Sequence, residues 1–434
     1  MPQLFFSLTS TERVGSMHRN RRKSLAVITS LIGRQTGAGR FKLTQKFVEG
    51  MQAYARSWDG EVCAYVHPGS VEQGNLDNVE VEAGSVGFDI RSVPFDTSEL
   101  YSELTGRGVV LGMHHLLPEL AQRCLELGVP CVYNPEYTLR TRLQIVRTER
   151  NGLLRKLKSS VWELREEARI AKQIRIADGV QCNGLPSYLK YAPLNRAPLL
   201  YFDSRVREQA LVTDQEIVLA NARRLQRQPL HLVFSGRLIR SKGADHLIRV
   251  AAALCERQVP FRMTICGDGD LKPSMLAQIE EAGLGATVQL RGVLDFSSAL
   301  LPFLKSKADL FVCCHRQGDP SCTYVETFAS GVPIVGYANE ALTSLINASD
   351  AGATVAEESP AALAALIAEL DRDRARLNQW AYCARTFAAK HTMERTFEHR
   401  ISHLLGVRNG FLRHGRPNRS QGTLRVTPGT ALIV

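Results

Sequence analysis

The chain has 434 residues, too many for one ordinary domain and enough for two that each bury a core. Hydrophobic residues make up 44% and charged residues 22%, which excludes wholesale disorder, and no apolar run reaches the roughly 20 residues of a bilayer crossing. The net charge of +11 is concentrated in residues 1–23, 140–175 and 408–434, so a general nucleic-acid surface, and with it a nucleic-acid partner, is not expected.

Along the chain, strand-like and helix-like patterns alternate in two blocks, the signature of parallel α/β architecture. The first block opens with Leu25–Thr29, a Gly loop at Thr36-Gly37-Ala38-Gly39 and a helical pattern over Phe41–Trp58. Strands are predicted at Val62–Val66, Val86–Val93, Val109–Met113 and Val129–Tyr133, with a helix over Leu117–Leu127. One long basic helical stretch follows from about Leu139 to Ile176, then a strand at Gly179–Cys182. In the second block, strand Leu230–Ser235 leads to a helix over Ala244–Arg257. There Leu247, Val250, Ala251 and Leu254 share one face. Strands at Phe261–Cys266, Thr287–Leu290, Asp309–Cys314, Val332–Gly336 and Ala353–Val355 alternate with helices at Pro273–Ala282, Tyr324–Ser330 and Ser359–Asp371. Helices from Ala375 to about Leu405 close the folded part. The expected division is a basic extension over 1–23, a first Rossmann-like domain over 24–205, a second over 206–407 whose final helix crosses back, and a disordered basic tail over 408–434.

Ten cysteines contain no Cys-x-x-Cys pair and no zinc spacing, which reads as free thiols in a reducing compartment. The apolar run Ser24–Gly33 behind a basic stretch imitates an export signal. It is short, however, and Arg34, Arg40 and Lys42 stand where small residues belong, so a cytoplasmic protein is expected.

Two segments point to chemistry. Ser235-Gly236-Arg237-Leu238 ends a strand, and Ser241-Lys242-Gly243 opens the next helix. Ligands bind beyond strand carboxyl ends, helix N-termini favour anions, and two added cations there suit a diphosphate. Solvated loop charges are the plain alternative. The run Gly318–Glu326 likewise leads from a strand into a helix, bringing backbone N–H groups and a carboxylate able to accept two hydrogen bonds from vicinal hydroxyls.

These segments, with Gly267-Asp268-Gly269, Val288–Val293, Ala308–Val312 and Glu326-x-x-Ala329-Ser330-Gly331-Val332-Pro333, resemble family 4 of the retaining glycosyltransferases in order and spacing over residues 230–370. The resemblance implies a GT-B fold, two doubly wound Rossmann-like parallel-sheet domains facing across a cleft. It also implies transfer of a sugar from a nucleoside diphosphate (UDP or GDP) to a hydroxyl of a glycan, lipid-linked or small-molecule acceptor. Arg237 and Lys242 would neutralise the diphosphate, Glu326 would hold the ribose, and Gly292-Val293 would face the base. The N–H groups of Ser321, Cys322, Thr323 and Tyr324 would reach sugar or phosphate, and Gly236 and Gly267 would shape the strand ends. Gly37 and Gly39 would let the first domain's backbone approach the phosphates. The family's usual glutamate eight residues before Glu326 is Gly318 here. Asp319 is the candidate substitute, and His115, beside His114, the candidate sugar contact.

The resemblance implies no cofactor and no metal. The triplets Asp268-Gly269-Asp270 and Asp371-Arg372-Asp373 fall on a turn and a helix end, and neither a phosphate-binding P-loop nor a full dinucleotide fingerprint is present. Arg237→Ala or Lys242→Ala is expected to abolish turnover and leave the fold intact. The basic stretch 140–175 is expected to reach an anionic membrane surface. A GT-B-shaped nucleotide-sugar-binding partner or regulator without transferase activity stays open as the alternative, carried by the departure at Gly318.

Overall fold

The computed structural model describes residues 22–69, 77–113, 117–135, 137–149 and 152–414. In the first half, β1 (Leu25–Gly37) and β2 (Arg40–Thr44) precede α1 (Gln45–Ser57), β3 (Val62–Pro68), β4 (Asn78–Glu82) and β5 (Asp89–Ser92). Next come α2 (Ser98–Leu104), β6 (Val109–Met113), α3 (Leu120–Glu126), β7 (Cys131–Asn134), α4 (Leu139–Thr148) and α5 (Leu153–Ile176). β8 (Gly179–Asn183), α6 (Leu185–Tyr191) and β9 (Pro198–Tyr201) complete this unit.

Its parallel strands run β5-β3-β1-β6-β7-β8-β9, with β2 added antiparallel to the far half of β1 and β4 antiparallel to β2. The strand order reverses at β1/β6, where Leu25 to Ile28 pair with Val109 to Gly112. Apolar side chains cover both faces, as a two-sided parallel sheet requires. Ala26, Ile28, Val110 and Tyr133 are buried on one face, and Leu25, Val27, Leu111 and Val132 on the other.

In the second half, α7 (Asp214–Leu225) starts with a capping box between Thr213 and Glu216. β10 (Leu230–Ser235), α8 (Ala244–Glu256), β11 (Phe261–Cys266), α9 (Lys272–Glu281) and β12 (Val288–Gly292) follow. Then come α10 (Leu301–Lys307), β13 (Leu310–Cys313), α11 (Cys322–Ala329), β14 (Ile334–Tyr337), α12 (Glu340–Ser349) and β15 (Gly352–Val355). The sheet order β12-β11-β10-β13-β14-β15 is the doubly wound 3-2-1-4-5-6 arrangement, all parallel, with its switch point at β10/β13. Helices α13 (Pro360–Arg372) and α14 (Arg374–Ala389) pack on this domain through Leu363, Ile367, Leu377 and Trp380. The last helix, α15 (Met393–His414), puts Met393, Phe397, Ile401 and Leu404 into the first domain's core.

Three expectations need correction. The Gly loop expected directly before a helix is the tip of the β1–β2 hairpin, because Phe41 and Leu43 are buried at period two and hold residues 40–44 as a strand. The helix accordingly begins at Gln45, capped by Thr44 Oγ1 accepting from Phe47 N. The single helix expected over 139–176 is two, broken where Glu149 turns extended (ψ 146°) and Gly152 takes the N-cap place. The tail expected as disordered from residue 408 is helical through His414. Arg408 forks onto Asp59 at 2.6 and 3.0 Å and lies 5.1 Å over the Trp58 ring, which anchors the final turns. All ten cysteines are free.

Candidate active site

Both switch points open at strand carboxyl ends, and the chain between the domains brings them face to face. A cavity of about 550 Å³ lies at the first switch point, lined by Ile28, Thr29 and Met113 and by the polar groups of Lys46, Asn134, Asn183, Tyr201, Asp203 and Arg400. A second, of about 700 Å³, lies against the other sheet, lined by Ser235, Gly236, Gly267, Val293, Phe296, Thr323 and Glu326. Asp77 and Arg205 line both, so the cavities are two chambers of one interdomain cleft.

Arg205 is the hub between them. Its Nε donates to Glu326 Oε1 at 2.9 Å, its Nη1 donates to Asp77 Oδ2 at 3.2 Å, and its guanidinium lies 4.0 Å from the Phe296 ring centroid. Burial disfavours the Arg205 charge, but Glu326 more than offsets this and keeps it protonated. Beside it, Lys46 pairs with Asp203. Burial alone would raise the Asp203 carboxyl, but Lys46, by charge and hydrogen bond, together with Arg400 and Arg205, outweighs it and holds the group below the usual carboxylate range.

Helix α11 begins at this junction with Ser321 as N-cap residue. The Ser321 N–H is used by Asp319 O at 2.8 Å and the Tyr324 N–H by Ser321 O at 3.1 Å. The N–H groups of Cys322 and Thr323 have no acceptor among the described residues, and these two residues line one chamber each. Two free donors at the positive end of a helix are a ready place for an anion. The Tyr324 side chain turns inward instead, its hydroxyl 2.9 Å from His315 Nδ1.

At the floor of the second chamber the ends of β10, β11 and β12 interlock: Gly236 N donates to Cys266 O, and Gly267 N donates to Gly292 O. A Cβ on Gly267 (φ 141°) would stand 1.9 Å from Gly236 O, so only glycine allows this crossing. Gly292 ends β12, and Val293, half-exposed, faces the cavity just beyond it.

Lys242 and Asp319 are brought together rather than aimed into the open chambers. Lys242 Nζ donates to Asp319 Oδ2 at 2.6 Å, and both residues are buried. Burial works to raise the Asp319 carboxyl, but Lys242, by charge and hydrogen bond, together with neighbouring groups, offsets it and holds it below the usual range. Burial, with Lys242 adding to it, pushes the neighbouring His315 down to about 3, so its ring is neutral. Gly318, in the family's glutamate position, is clamped by the first domain: its N–H donates to Gln144 Oε1 at 2.9 Å, and its carbonyl accepts from Thr141 Oγ1 at 3.1 Å. A Cβ there would meet Glu340 Cγ at 2.5 Å, which leaves no room for a side chain at that position.

Arg237 is exposed on the turn after β10 and pairs with no carboxylate among the described residues. Gly37 and Gly39 line neither chamber. They sit at the hairpin tip, four residue pairs from the Thr44–Asn78 end that meets the cleft, about 13 Å along the strand. His115 lies outside the described residues. Among those residues, no three His, Cys, Asp or Glu side chains group so as to hold a metal ion. The sequence reading missed Arg205, Lys46, Asp203, Asp77 and Phe296. Asp203 and Arg205 sit directly beyond the carboxyl end of β9, a place that favours ligand contact, but β9 itself was not recognised.

Comparison with known proteins bears on the fold and on the second domain. Residues 219–387 match the family described as glycosyl transferases group 1. A GDP-mannose-dependent alpha-(1-6)-phosphatidylinositol dimannoside mannosyltransferase of Mycobacterium tuberculosis is 32% identical over 168 residues, 38% of this chain and 41% of the relative. The chain therefore spans about two fifths of the length of the curated relatives it matches first. HepE of Anabaena in complex with UDP superposes with a TM-score of 0.59 at 15% identity, over 88% of this chain and 99% of that one. Sucrose-phosphate synthase from Thermosynechococcus elongatus gives 0.58 at 16% identity, over 90% and 99%. Residues 219–387 thus match the glycosyl transferases group 1 family, and the chain has a GT-B fold.

Proposed function

We propose that this chain is a metal-independent, retaining glycosyltransferase that moves a sugar from a nucleoside diphosphate to a hydroxyl of a glycan, lipid-linked or small-molecule acceptor. The observation that carries the reading is the junction of the two chambers. There, the unpaired N–H groups of Cys322 and Thr323 and the guanidinium of Arg205 converge beside Glu326. A diphosphate placed there meets donors that strengthen as negative charge builds on the leaving group. Val293 and Phe296 offer an apolar wall for the base, and Glu326 has a second carboxylate oxygen for the ribose. The first chamber, with its Asn, Tyr and Arg groups, takes the acceptor. Arg237, exposed and unpaired, swings toward the diphosphate when it binds, whereas Lys242 acts through Asp319.

The reading as retaining draws on the state of two carboxylates. Asp77, Asp203, Glu326 and Asp319 each contact a cation, and Asp203 and Asp319 are held ionised. Neither Asp203 nor Asp319 is prepared as a base of raised pKa, which favours the leaving phosphate oxygen as the taker of the acceptor's proton, on the same face. Binding of UDP by one fold neighbour and use of GDP-mannose by one sequence relative support a nucleoside diphosphate donor. The relative's phosphatidylinositol dimannoside acceptor supports a glycolipid.

The test is a thermal-shift series against UDP- and GDP-sugars in the presence of EDTA, followed by transfer assays with the stabilising donor. A donor at roughly a hundredfold over Kd should add about 2.7 kcal/mol of stability. Product anomers read by NMR decide retention against inversion. No stabilisation and no transfer by any donor overturns the proposal. Tight binding with neither transfer nor hydrolysis favours the non-catalytic binding protein, and turnover lost in EDTA overturns metal independence.

A further inference from the structure

Helix α5 is built unlike the rest of the fold. Its second half is anchored: Glu166, Ile170, Gln173 and Ile174 are buried, and Arg142 of α4 donates to Glu163 at 2.7 Å and to Glu167 at 2.8 Å. Its first half, residues 152–165, contributes no buried side chain. That half nevertheless carries Leu153 and Leu154 (each 86% exposed), Leu157, Val161, Trp162 and Leu164, all open to solvent. At 100° per residue, the leucines and Val161 fall within an arc of about 100°, the width of the stripe that an amphipathic helix normally buries. Exposed apolar residues elsewhere, such as Leu276 and Leu412, lie apart and need no explanation.

The charges around the stripe select what covers it. Lys158 and Arg165 flank it on one side and Lys156, which donates to Arg147 O at 2.8 Å, on the other, all exposed or half-buried. The acids of this helix are turned away, Glu163 and Glu167 onto Arg142 and Glu166 onto Arg169. The free side of the helix is therefore apolar along its centre and purely cationic at its margins. A second copy of the chain docking through the same stripe would bring two sets of cations together. An anionic lipid surface instead accepts both features at once, apolar side chains among the acyl chains and cations among the headgroups.

We propose that the first half of α5 is a docking face for an anionic membrane surface, with Leu153, Leu154, Leu157, Val161 and Leu164 inserted. The helix lies on the surface and does not cross it, since no helix among the described residues is long and apolar enough to span a bilayer. The inference stands independently of the transferase reading, because it concerns a face outside both chambers.

The experiment is co-sedimentation of the full chain with phosphatidylcholine vesicles, with and without phosphatidylglycerol, at low and high salt. Neither donor nor acceptor is present, so failure of catalysis cannot affect the result. Binding is expected to phosphatidylglycerol vesicles and is weakened by salt. Leu154→Glu/Leu157→Glu, at exposed positions that cost the fold nothing, should reduce vesicle binding at least tenfold with an unchanged circular dichroism spectrum. Absence of binding at low salt, equal binding by the double variant, or binding indifferent to lipid charge each overturns the proposal. So does a lipid-free dimer that the double variant abolishes, since that result assigns the face to self-association.

Discussion

The Lys242 ammonium stands 2.6 Å from Asp319 Oδ2, and the pair bridges the turn after β10 and the loop leading into α11. Such a buried pair couples stability to function: removing one partner strands the other charge in a medium that cannot solvate it. Lys242→Ala, expected from sequence to leave the fold intact, should therefore cost about 3–5 kcal/mol, read as a lower urea midpoint. The double variant Lys242→Met/Asp319→Leu should recover most of that stability and remain inactive. Wild-type stability in Lys242→Ala would show that the pair opens to water.

Arg205 should govern donor affinity. Arg205→Ala leaves Glu326 buried without its guanidinium and removes the cation at the chamber junction. A loss of at least tenfold in affinity for the favoured nucleoside diphosphate, about 1.4 kcal/mol, should appear by titration calorimetry. Arg205→Lys keeps the charge but can neither fork between Glu326 and Asp77 nor stack on Phe296, so it should fall between the two. Equal affinity across all three proteins would remove Arg205 from the donor site.

Gly318 should tolerate no side chain while the domains are together. The Cβ of Gly318→Ala would collide with Glu340, whose carboxylate accepts from Thr138 and Thr141 Oγ1 and cannot simply swing away. A loss of about 1–3 kcal/mol is expected by chemical denaturation. Combining it with Glu340→Ala should cost less than the sum of the single changes, because the shortened side chain makes room. Additive costs would show that the collision is relieved elsewhere.

Acid should weaken the fold partly through His391. Its ring lies 4.7 Å from Phe202 and 4.5 Å from Phe387. Burial, aided by His399 and Lys390, pushes its pKa from 6.5 down to about 4. Between these values the unfolded chain binds a proton that the native chain refuses, so stability falls as pH drops through that window and is flat above it. The contribution is on the order of 3 kcal/mol. His391→Phe should flatten that part of the pH dependence in urea unfolding, leaving the portion due to His315, which acts in the same direction. An unchanged slope would mean that His391 reaches water in the native state.

Much of this architecture was written locally. Apolar runs identified the four central strands of the second sheet, since a strand buried on both faces must be apolar along its length. The same regularity made Gly236 and Glu326 legible as cleft residues, because strand carboxyl ends of a doubly wound sheet are where its ligands sit, and the family resemblance added Gly267 and Val293. Only the tertiary structure decided which charges face the cleft. Lys242 and Asp319, 77 residues apart, neutralise each other, while Arg205 reaches Glu326 across 121 residues and Asp77 across 128. It also turned Gly37 and Gly39 from a phosphate loop into a hairpin tip, because Phe41 and Leu43 found a core to enter. Periodicity reports which face of an element is apolar. The partner of a charge is set by Coulomb attraction between side chains that only the packed domains bring within a few ångströms.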